Sequence, residues 1–190
     1  MLRTNTDFLA FLTAYNATKN TKNITLKSFN KGNRLLNQGS KTNSVYILKE
    51  GIAKCFITEE NAKNYIFEFL GSGEIIGEIE IIKKIPCLCN VEAITDLVAF
   101  SIPNESFLAL LEEEAKFNKI VLEVLSTRLI QTSSRSSYQQ LYPLEHGFNK
   151  LLQLQEQEDI AISKEDMSAY LGITLRSFNR MLKNLNVKKL

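Results

Sequence analysis

The chain has 190 residues, 44% of them hydrophobic and 23% charged, with a net charge of +2. This is an ordinary globular composition for one domain or two small ones, and the overall charge makes no general case for nucleic acid. Three cysteines, an odd number, make no disulfide framework, and no apolar run approaches the roughly 18 residues of a membrane span. Met1 to Asp7 lacks the basic-then-apolar layout of a signal peptide, so the chain reads as cytoplasmic.

Residues 24–102 read as short strands divided by turn residues. Ser44 to Glu50 and Ile52 to Thr58 flank Gly51, and Asn64 to Leu70 follows a polar turn from Glu59 to Lys63. Leu97 to Ile102 closes the series before Pro103. Strands at this spacing predict a compact antiparallel β barrel or sandwich. Beyond Pro103 the period changes to a helical one over Asn104 to Glu113 and Ala115 to Gln140. In the second stretch Phe117, Ile120 or Val121, Val124, Arg128 and Gln131 step by three or four residues, with Leu125 and Leu129 beside them. So long an amphipathic helix exceeds what one small barrel covers and predicts pairing with a second copy, the alternative being a helix that lies across the barrel. Pro143 breaks the pattern, and Leu144 to Gln157 forms another helix with apolar Phe148, Leu151, Leu152 and Leu154.

The last stretch, Ser163 to Leu185, carries the signature of a helix-turn-helix. Ser163-Lys-Glu-Asp166 is a helix start whose acidic residue can reach back to free N–H groups. Gly172 can take the left-handed geometry that ends that helix, and Thr174 caps the next. Met167, Leu171, Ile173, Phe178 and Met181 recur where two steeply crossed helices share a core, with small Ser168 at the crossing. The outward face of the second helix holds Leu175, Arg176, Asn179, Arg180 and Lys183. Arg176 and Arg180 suit the paired acceptors of guanine in the major groove, with Thr174 and Ser177 on the phosphate backbone. Charge agrees: Ser163 to Leu190 carries six Lys and Arg against Glu165 and Asp166, whereas Met1 to Leu125 is near neutral.

Val45-Tyr-Ile-Leu-Lys-Glu-Gly51, Gly73-Glu-Ile-Ile-Gly-Glu78, Ala93-Ile-Thr-Asp96, Gly39 and the terminal helix pair together resemble the Crp/Fnr family of bacterial regulators. The stretch Ile76 to Ile82 is similar to its YeiL-like branch. The resemblance implies an α+β chain: an N-terminal double-stranded β-helix (jelly-roll) sensor over residues 1–113, a dimerisation helix over 114–140 and a helix-turn-helix DNA-binding domain over 141–190. Relative to the family that last domain is expected to lack most of its wing, since the sequence stops at Val187-Lys-Lys-Leu190. The implied partners are double-stranded DNA, a second copy through the 115–140 helix, RNA polymerase and a small-molecule effector; no cofactor and no metal is called for.

In nucleotide-binding members a Gly-Glu pair meets the ribose, and Gly77 and Glu78 match it. Their Arg-Ser pair for the cyclic phosphate falls on Cys87 and Leu88, while Thr132 and Ser133 match a Thr-Ser pair that reaches the base. Losing the Arg removes a charge-assisted contact worth on the order of 1.5–3 kcal/mol and leaves a buried phosphate without its countercharge. Cyclic AMP is therefore not the expected effector.

Redox members of the family hold an iron–sulfur cluster through a cysteine group near the N-terminus, and Met1 to Lys54 contains no cysteine. Cys87 and Cys89 would face one side of an extended segment with Leu88 opposite, and Cys55 is the only further thiol. They read first as small buried residues, then as a thiol redox switch, and last as a metal site. His146 sits beside Gly147 with no nucleophile placed by any motif, and no P-loop or nucleophile elbow occurs, so no enzyme is expected. Glu78 and Glu80 stand where the family keeps its ligand loop. The alternative to a regulator is a ligand-binding or protein-interaction module with a degenerate DNA-binding head.

Overall fold

The computed structural model describes residues 2–19 and 23–185, so the expected stop of the wing at Val187 to Leu190 lies outside the described residues. In chain order, β1 (Leu2–Arg3) leads into α1 (Thr6–Lys19), then β2 (Thr25–Phe29), β3 (Arg34–Leu36), β4 (Ser44–Glu50), β5 (Ala53–Thr58) and β6 (Asn64–Leu70). There follow β7 (Ile75–Ile76), α2 (Glu78–Lys83), β8 (Asn90–Ala93) and β9 (Leu97–Pro103). Five helices end the described chain: α3 (Asn104–Glu113), α4 (Ala115–Leu141), α5 (Leu144–Glu158), α6 (Lys164–Leu171) and α7 (Leu175–Asn184).

The strands form two sheets, ordered β1-β6-β5-β8-β3 and β2-β9-β4-β7. Pairing is antiparallel except at β1, whose Leu2 and Arg3 lie parallel to Phe69 and Leu70 of β6. The inner faces meet over Leu36, Leu48, Ala53, Val91, Leu97 and Ala99, a dry filling between the sheets. Alternation along β4, where Val45 and Ile47 are fully buried while Tyr46 is only partly so, makes such a two-faced strand.

A second core lies behind the smaller sheet. Phe8 and Leu12 of α1 pack with Phe107 of α3 and Phe117, Val121 and Val124 of α4. The Phe117 ring meets Phe8 edge-on at 5.6 Å and Phe107 at 5.7 Å. α1 was not anticipated from the sequence. Asn5 caps it, its side-chain oxygen accepting from the Phe8 N–H at 2.9 Å.

The third core joins the larger sheet to the terminal helices. Ile52, Phe56, Ile66 and Phe69 of the sheet share one buried cluster with Phe148, Leu151 and Leu154 of α5, Met167 and Tyr170 of α6, and Phe178 of α7. The terminal helices are therefore seated on the outer face of β5 and β6.

Candidate functional site

Two regions hold the residues singled out from the sequence. The first is a cavity of about 380 Å³ where the larger sheet, α2 and α4 converge. Gly77, Glu78, Leu88 and Thr132 line it, as do Arg3, Glu68, Glu80 and Arg128. Gly77 has φ +92, and an added Cβ would stand 3.3 Å from the Ser44 carbonyl oxygen, so a side chain there is doubly disfavoured. This turn sets Glu78 at the first position of α2, fully inside the protein.

Arg128 projects from α4 into the carboxylates. Its guanidinium donates to Glu74 Oε2 at 2.8 Å, to Glu78 Oε1 and to the Ile75 carbonyl oxygen. Burial works to strip the proton from this guanidinium, but Glu78 and Glu74 outweigh it and hold the group charged. Burial raises the Glu78 carboxyl above the ordinary carboxylate range, and Arg128 pulls it part of the way back. The second guanidinium, Arg3, donates to Glu68 Oε1 and Thr132 Oγ1, each at 3.3 Å. Both arginines of the pocket are thus engaged by carboxylates, and Glu80 accepts from the Leu88 N–H at 3.1 Å. Phe67, Ile79, Leu88 and Leu129 supply apolar wall. An anionic ligand finds no spare cation here among the described lining residues, whereas a neutral or cationic one does not need one.

The structure separates the pocket residues read from the sequence. Cys87, 4% exposed, sits in the filling between the sheets, while Leu88 is 53% exposed at the pocket mouth. Ser133 is exposed and its hydroxyl donates to the Leu129 carbonyl oxygen of its own helix at 2.9 Å. Cys89 lines the pocket together with Cys55, and their sulfurs are 3.0 Å apart. No group of three or more metal-ligating side chains occurs among the described residues. His146 stacks on Tyr142 at 4.8 Å.

The second region is the α6–α7 pair. Ser163 caps α6, accepting from the Asp166 N–H at 3.0 Å. The Asp166 carboxylate has a use that the helix-start pattern does not contain: it accepts from Lys54 Nζ of β5 at 2.8 Å. Gly172 takes φ +70 at the end of α6. Thr174 caps α7, accepting from the Ser177 N–H at 3.1 Å. Phe178, Met181 and Leu182 are buried, with Phe178 edge-on to Phe148 at 5.7 Å. Anchoring by that face leaves Thr174, Arg176, Asn179, Arg180 and Lys183 exposed, with Ser177 half-buried.

Sequence reading passed over two contacts that seat these helices. Lys54 lies between Asp166 and Glu92, 2.8 and 3.1 Å away. Burial alone would lower its pKa, but these carboxylates carry it above the ordinary lysine value. Arg135, in the C-terminal half of α4, is buried against Tyr170 and donates to the carbonyl oxygens of Ile66 and Tyr170 at 2.9 and 2.8 Å.

Residues 26–114 match the cyclic nucleotide-binding domain family. The Regulatory protein YeiL of Escherichia coli O157:H7 is 24% identical over 143 residues, which cover 75% of this chain. The chain spans 65% of the length of that curated relative. Among solved structures, the c-di-GMP responsive global regulator CLP of Xanthomonas campestris is similar with a TM-score of 0.77 at 16% identity, over 91% of each chain. A CRP/FNR-family transcriptional regulator from Thermus thermophilus is similar with a TM-score of 0.71 at 17% identity, over 85% of this chain and 86% of its own. At such identities the two structures establish a shared fold. Residues 26–114 thus carry a match to the cyclic nucleotide-binding domain, and most of the chain shares the fold of these two regulators.

Proposed function

We propose that the chain is a homodimeric, DNA-binding transcription regulator whose β roll responds to a ligand other than a standard cyclic nucleotide. The observation that carries this reading is α7: a helix held by its buried face, with Arg176, Asn179, Arg180 and Lys183 presented together on the other. Arg176 and Arg180 reach base edges, while Thr174, Ser177, Asn179 and Lys183 are placed for the backbone and flanking bases. In this reading residues 1–113 sense, 114–140 dimerise and 141–190 bind DNA, with RNA polymerase as a further partner.

Dimerisation is supported by the outer face of α4. Leu122, Leu129, Ile130 and Leu141 are exposed there, Leu129 at 70% and Ile130 at 67%, with Ser126 and Ser133 between them. Apolar residues recurring on a 27-residue helix, separated by small ones, suit an identical helix packed alongside. Two heads related in this way would read half-sites about one DNA turn apart, roughly 34–36 Å.

Against a cyclic nucleotide stand the pocket, where both arginines are already paired, and the resemblance, by which Cys87 and Leu88 replace the phosphate-binding Arg-Ser pair. Mobility-shift titration of DNA from upstream of the protein's own gene tests the regulator, and calorimetric titration with cyclic AMP tests the pocket. The reading requires a shift and predicts no cyclic AMP heat. Absence of specific DNA binding across ligands and redox states would overturn it.

A further inference from the structure

Cys55 and Cys89 are 34 residues apart in the chain, yet their sulfurs lie 3.0 Å from each other. The register of β5 on β8 brings this about. Cys55 is paired with Val91 and Phe56 with Asn90, so Cys89, two residues before Val91, is the diagonal neighbour of Cys55 on the same face. A disulfide spans about 2.0 Å between sulfurs, so closure asks for about 1 Å of side-chain movement and no slip of either strand. Both residues are half-buried and line the pocket, where a small oxidant can reach them. Cys87 is packed between the sheets.

We propose that Cys55 and Cys89 form a reversible disulfide site in the wall of the pocket, oxidised by hydrogen peroxide. One sulfur, as its thiolate, attacks the peroxide O–O bond and becomes a sulfenic acid as the first water leaves. The second thiol displaces the sulfenic hydroxyl, the S–S bond forms and the second water leaves. Two thiols thereby give up two electrons and two protons, which the peroxide takes up. The neighbouring Cys55 sulfur and burial raise the Cys89 thiol above the ordinary cysteine value. The position gives the bond a consequence. Lys54 before Cys55 pairs with Asp166 of α6, and Phe56 after it belongs to the cluster that seats α5, α6 and α7. Oxidation therefore pins the strand on which the terminal helices rest, and the site exists whether or not those helices bind DNA.

Treatment of the reduced full chain with hydrogen peroxide, followed by denaturation, alkylation and mass spectrometry, tests the site. The expected product is two hydrogens lighter before alkylation, takes up one alkyl group instead of three, and reverts with a phosphine reductant. Fragment ions should assign the link to Cys55 and Cys89. Cys87→Ser should still form it, whereas Cys55→Ser should not. A link through Cys87, three alkylatable thiols after oxidation, or sulfinic acid without a link would each overturn the proposal.

Discussion

The guanidinium of Arg135 lies over the ring of Tyr170, 4.0 Å from its centroid, while it donates to the Tyr170 carbonyl oxygen at 2.8 Å. The same nitrogen donates to Ile66 of β6. One side chain of α4 therefore fastens α6 to the sensor sheet, and the stacked Phe69 and Tyr170 rings, 5.6 Å apart, continue the contact. Such a fastener suits the proposed switched head, because its geometry joins the helix proposed to dimerise, the sheet that lines the pocket and the helix before the one proposed to read DNA.

Arg135→Ala should lower stability by about 2–3 kcal/mol, since it strips two buried carbonyl groups of a charged donor. Arg135→Lys should recover little of this, because a point charge cannot stack and bridge both carbonyls at once. Denaturant unfolding measures the loss. Hydrogen exchange should place the gain in opening at Lys164–Leu171 while β4 and β9 stay protected.

Removing Arg128 should be costlier and pH-dependent. Arg128→Ala leaves Glu74 and Glu78 buried without their cation, a loss of about 3–5 kcal/mol at neutral pH. The Glu78 carboxyl already lies above its ordinary range and would rise further. The folded variant then holds this proton more tightly than the unfolded chain does. That contribution is present below the ordinary carboxylate range and lost as pH rises through the folded value. The deficit against the unsubstituted protein should be smallest near about pH 4 and widen toward neutrality, as unfolding series at several pH values would record.

Local patterns in the sequence carried much of this architecture, and distant contacts carried the rest. Pro103, Pro143, Ser163 and Thr174 mark the starts of α3, α5, α6 and α7, Gly172 marks the end of α6, and α4 stops just before Pro143. The edges of β4 and β6 likewise follow from alternation and the turn at Glu59 to Lys63. Helix α1 carries Phe8, Phe11, Leu12 and Tyr15 at helical spacing, a legible signal overlooked beside the louder β pattern. The two-residue β1 has no local mark at all, because only its parallel partner β6 defines it. The pocket divides in the same way. Gly77 and Glu78 were legible through their match to the family's Gly-Glu pair, whereas Arg128, Arg3 and the Cys55–Cys89 pair depend on partners 34 to 65 residues away.

The exposed face of α4 gives a prediction independent of any ligand. Leu129→Glu with Ile130→Glu should turn a dimer into a monomer without loss of helix content, because both side chains are already exposed within one chain. Sedimentation velocity reads the mass, and circular dichroism confirms the fold. A monomer for the unsubstituted protein at micromolar concentration would contradict the dimer.

Binding of the full chain to its upstream DNA, followed by fluorescence anisotropy at several salt concentrations, tests the central claim most directly. Affinity should fall steeply with salt as phosphate contacts release counterions. Arg176→Ala and Arg180→Ala should each weaken specific binding by about 1–3 kcal/mol with unfolding unchanged. Equal affinity for specific and unrelated DNA, or indifference to both substitutions, would contradict a reading helix at α7.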